Sequence, residues 1–67
     1  MTDWADHYRD EQDAVYLYAA LSDIEPDAER RELFSKLAAV ERKHVGRWMD
    51  LFRESGRPIP SHAPSLR

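Results

Sequence analysis

Phe34-Ser35-Lys36-Leu37-Ala38-Ala39-Val40-Glu41-Arg42-Lys43-His44-Val45-Gly46-Arg47-Trp48-Met49-Asp50-Leu51 decides the fold. Phe34, Leu37, Glu41, His44, Trp48 and Leu51 recur at intervals of 3, 4, 3, 4 and 3 residues, the period of one face of a bundle helix. The segment upstream repeats the device, with Trp4, Tyr8, Glu11, Val15, Tyr18 and Ser22 spaced 4, 3, 4, 3 and 4. Flanking stripes, Ala14-Leu17-Leu21-Ile24 and Leu33-Val40-Val45-Phe52, widen each apolar face.

Local signals bound the two helices. The first is expected from about Thr2 to Asp23, with Thr2 or Asp3 as N-cap and Asp6 favourable to the helix dipole. The second is expected to start at Pro26, a residue suited to the first helical position, with Asp27 and Glu29 in its first turn. Its end is expected at Glu54-Ser55-Gly56, where Gly56 suits a left-handed position and Pro58 forbids continuation. The short connection Ser22 to Glu25 folds the helices back antiparallel, with partner numbers summing to about 52. Residues 1–55 thus form an all-α hairpin, and the proline-rich 56–67 read as a tail or linker without a core.

Size pushes this hairpin towards a partner. A chain of 67 residues buries only about 60% of its unfolded surface and ordinarily needs a staple. It has no cysteine, which rules out disulfides and thiolate zinc sites. Oligomerisation and a metal held by histidine and carboxylates remain. One hairpin would leave much apolar surface wet, so homodimerisation into a four-helix bundle is expected.

Thirteen acidic residues against ten basic ones give a net charge of −3, without the basic stripe a nucleic acid demands. No run of about 18 apolar residues exists to span a membrane, and Met1 to Asp6 has no apolar signal core. The expected location is cytoplasmic.

Glu11, Glu41 and His44 break the pattern by standing where apolar residues belong. A buried unpaired carboxylate is strongly unfavourable, so it neutralises, pairs or binds a metal. Glu11 and Glu41 fall at the same height by the rule of about 52, and His44 is one turn from Glu41 on the same face. Glu on one helix with Glu-x-x-His on the other is the half-site of di-iron carboxylate bundles. A two-fold axis doubles it to four carboxylates and two imidazoles around two metals, and the four negative charges balance two divalent ions. The alternative is a polar layer that only fixes bundle register.

Other residues carry weaker signals. Tyr18, two turns after Glu11, is either packed core or a group that orients a carboxylate or lends an electron. Tyr8, Trp4 and Trp48 read as core or dimer contacts, and His7 and His62 as surface residues. Asp10 and Asp13 read as a solvated acidic face rather than a weak approach site for cations. Gly46, in mid-helix, costs about 1 kcal/mol relative to Ala.

The segment Asp10 to Tyr18, followed by Leu37 to His44, resembles the rubrerythrin-like branch of the ferritin-like superfamily over residues 4–55. Ordinary members carry Glu and Glu-x-x-His twice in one chain. The single set here is similar to the two-helix subunits of encapsulated ferritins, which build a di-iron site across a dimer interface. It also resembles the ferritin-like region preceding the membrane part of transporters of the vacuolar iron transporter type. The resemblance implies iron, two per dimer, bound by Glu11, Glu41 and His44, with Tyr18 in support and Mn or Zn as substitutes. It implies a ferroxidase, or else a non-catalytic iron-sensing or iron-delivery domain. Expected partners are a second copy, a higher ring of dimers, an encapsulating shell or a membrane transporter. The tail lacks an apolar, glycine-flanked loading peptide, and Ser65-Leu66-Arg67 stands where a transporter's membrane helices would begin. An excised cytosolic domain and a free-standing small protein are both compatible with this.

Overall fold

The computed structural model describes residues 3–61 as two packed antiparallel helices, α1 (Trp4–Ile24) and α2 (Ala28–Glu54). The described residues contain no strand. Asp3 caps α1, its carboxylate accepting the Asp6 backbone N–H at 3.0 Å. The other cap candidate, Thr2, lies outside the described residues.

The connection differs from the sequence expectation. Ser22 and Asp23 remain helical, and Glu25 ends α1 in an extended conformation (φ −76°, ψ 118°). The following proline explains this, because its ring disfavours helical backbone at the residue before it. Pro26 itself precedes α2 instead of opening it. Asp27 is the N-cap, accepting the Arg30 N–H at 2.9 Å, and Glu25 accepts the Asp27 N–H at 3.2 Å. A capping carboxylate satisfies an orphan helix donor, which a proline at that place cannot do. Across the turn Ser22 Oγ donates to the Arg31 carbonyl at 3.0 Å. The far end of α2 matches its signal: Ser55 caps it and Gly56 takes φ +74°, where a side chain would be strained.

Two ring contacts fix the register. Trp4 meets Trp48 at 5.8 Å and Tyr18 stacks on Phe34 at 6.5 Å, pairs whose numbers sum to about 52 as the short turn requires. At the end away from the turn Phe52 gathers Trp4, Tyr8 and Trp48 around it at 5.8 to 6.4 Å. Gln12 donates to the Tyr8 hydroxyl at 2.8 Å, so that ring is buried without an orphaned polar atom. Arg57 lies 4.1 Å over the Trp4 ring, and Ile59 and Pro60 are partly covered, so the start of the tail closes this end.

The turn half is open by contrast. Leu17, Ile24, Leu33 and Val40 are 38%, 76%, 53% and 46% exposed. These four belong to the stripes that widen each apolar face, and they lie at or beyond the edge of the strip the two helices cover between them. Phe52 of the same stripes is buried. Gly46 has open space where a Cβ would sit, so no close helix approach explains it.

Candidate metal centre

The hairpin brings Glu11, Glu41 and His44 together. One ligand atom from each lies within 4.8 Å of the others, and among the described residues this is the one group of three or more such donors. His44 Nδ1 stands 3.6 Å from Glu11 Oε1 and 3.7 Å from Glu41 Oε1. Those separations exceed a good hydrogen bond, so the three groups face a common point without satisfying one another.

Each position follows from helix geometry. Glu41 and His44 are i and i+3 on α2, hence on one face, and the antiparallel register carries Glu11 to their level. The carboxylates are about three-quarters covered while His44 is half exposed. His44 belongs to a ladder, Leu33-Leu37-Val40-His44-Trp48-Leu51, that runs along one side of α2. Its contact with Glu11 places the mouth of the cluster on that side. A shallow pocket of about 180 Å³ opens there, lined by Glu11, His44, Arg47, Trp48 and Leu51.

Glu11 is the strained member. Its Oε2 is buried with no hydrogen-bond partner. Burial is the main reason its carboxyl titrates above the ordinary value of 4.5. His44 pulls it down, the Glu41 charge pushes it up, and His7 and the Trp48 indole N–H pull it down more weakly. A divalent cation would answer both defects, since it pairs with the orphaned oxygen and offsets two neighbouring carboxylates. Two carboxylates and an imidazole suit Fe(II), Mn(II) and Zn(II), so the donor set fits a metal of that class.

The remaining candidates fall outside this cluster. Tyr18 is half-buried against Phe34, about 10 Å further along the helix axis than Glu11. Asp10 is exposed and Asp13 half-buried, and neither joins the three donors. His7 is exposed, as a surface residue should be, yet its ring lies flat against Trp48 at 5.6 Å and 3°. That stacking is not apparent from α1 alone, though the rule of about 52 carries His7 close to the level of Trp48. His62 lies outside the described residues. No described helix is long and apolar enough to cross a membrane. Compared with known proteins, the chain matches no family model, no curated protein and no solved structure, so its functional reading stands on these side chains.

Proposed function

We propose that two copies of this hairpin join through their open sides into a four-helix bundle and oxidise Fe(II) at a centre formed by Glu11, Glu41 and His44 of both. The convergence of these three ligand atoms within 4.8 Å, with a buried carboxylate oxygen left partnerless, carries the reading. One hairpin offers three donors and a half-exposed imidazole at its surface. A second copy related by a two-fold axis would supply the rest and cover the mouth.

Within this reading ferrous iron is the substrate. Two ferrous ions give one electron each to dioxygen, which with two protons leaves as hydrogen peroxide. The protein's part is to hold the donors. Glu11 and Glu41 supply anionic oxygens whose mutual repulsion favours the more highly charged ferric product. His44 supplies a neutral nitrogen and closes the α2 side. Tyr18 stacks on Phe34 further along α1; within this reading it would serve as a reserve electron donor. A chain of 67 residues encloses no store for the product, so ferric iron passes to a larger assembly, a shell or a transporter. The reading implies a cytoplasmic setting and a place near the ferritin-like superfamily.

Native mass spectrometry after anaerobic loading with Fe(II) tests it. The expected species is a dimer carrying about two irons, lost in Glu41→Ala, with dioxygen consumption on aeration. A monomer, or a dimer indifferent to iron, overturns the proposal. Iron uptake with no turnover on repeated additions overturns the ferroxidase and leaves a sensing or delivery domain.

A further inference from the structure

We propose that His7 is a second imidazole ligand of each chain's half of this centre, turning from its resting place against Trp48 to join Glu11. The inference rests on the metal reading above and deepens it. His7 and Glu11 are i and i+4 on α1, the spacing that sets two side chains on one face one turn apart. Across the groove, Trp48 is likewise one turn beyond His44 on α2 and lines the pocket with Glu11 and His44. The 3° stacking holds the His7 ring on Trp48, a residue that lines that pocket. The ring is exposed, so a change of side-chain rotamer needs no repacking. Glu11 feels the charge of His7 beside those of His44 and Glu41.

The chemistry gains from such a ligand. Two carboxylates and one imidazole suit Fe(II), Mn(II) and Zn(II) but leave the carboxylate share high enough to admit magnesium and calcium as well. A second imidazole shifts the set towards the later first-row ions, Fe(II), Co(II) and Zn(II). The substrate class of the centre becomes borderline divalent metals, with selection exercised by a residue that moves in only when an ion is present.

The test is ¹⁵N NMR of the histidine rings during titration with Zn(II), a diamagnetic probe. Three rings are present, and His7→Gln and His62→Gln assign them. The expected result is that His7 and His44 shift and lock into one tautomer at the same zinc ratio while His62 does not. His7→Gln should then weaken Zn(II) binding roughly tenfold or more, with helix content unchanged by circular dichroism. A shift at His44 alone, with zinc affinity unaltered in His7→Gln, overturns the role of His7 and leaves the metal centre standing. No shift at any ring overturns the centre and the role of His7 together.

Discussion

The two halves of this hairpin differ in how well they cover themselves. Away from the turn, Trp4, Tyr8, Trp48 and Phe52 interlock and Arg57 lies across the outer face of Trp4. Near the turn, Ala38 is buried and Tyr18 stacks on Phe34, but Ile24 and Leu33 are more than half exposed and Leu17 is 38% exposed. Four rings clustered together cover one another across the groove, whereas near the turn a single ring pair, Tyr18 and Phe34, spans it and the flanking aliphatic side chains stay exposed. The aromatic half can therefore stand as a small core. The half near the turn leaves more of its aliphatic surface exposed, and the Glu11, Glu41 and His44 cluster lies on the boundary between them. The three donors thus sit where cover within the hairpin thins out.

Substitution at the centre of each half separates them most sharply. Phe52 is only 3% exposed and touches three other rings, so Phe52→Ala should cost about 3–5 kcal/mol, enough to unfold most of a chain this small. Thermal unfolding followed by circular dichroism reads this directly. A loss under about 1 kcal/mol would break the claim that the aromatic half is a core. Leu33→Asp asks the reverse question. Leu33 is 53% exposed and two turns before Glu41, so helix content should hold. If the proposed dimer covers it twice, the dimer dissociation constant should rise about a hundredfold or more by sedimentation. An unaltered dimer would move the interface to another side of the hairpin.

The contrast also explains what the sequence could and could not disclose. Both helices, the antiparallel turn and the left-handed Gly56 were legible because each depends on a few neighbouring residues. The register followed from loop length, which is why Glu11 meets Glu41 and His44 as their numbers suggest. The start of α2 was not legible in this way. Pro26 and Asp27 both suit a helix start, and a capping hydrogen bond in the folded turn decides between them. Which apolar stripe is covered was hidden for a different reason. A helical period marks a face as apolar, but packing within one chain decides whether it is shared, so Leu33 and Val40 resemble core in sequence and stand exposed. The stacking of His7 on Trp48 was hidden because the two residues lie far apart along the chain.

The smallest expected effect concerns the boundary itself, through Glu11. Its carboxyl titrates above its ordinary value of 4.5 because burial disfavours the charged form. A folded-state pKa raised above that of the unfolded chain means that the folded state binds the proton more tightly. Stability then falls as pH rises from just below 4.5 through the raised folded value, and it is recovered on acidification across the same window. Glu11→Gln removes this slope, keeps the shape of the side chain and lets an amide replace a carboxylate whose buried Oε2 lacks a hydrogen-bond partner. The metal-free variant should melt higher than the parent at pH 7 and no higher at pH 4, with the gain shrinking as pH drops. The same variant should lose the metal-induced rise in melting temperature, because an amide is a poor ligand for a divalent ion. Higher apo stability bought with lost metal response is the signature of a residue kept for binding. A Glu11→Gln protein less stable at pH 7 than its parent would instead make the carboxylate a structural member of a polar layer that fixes the register of the bundle.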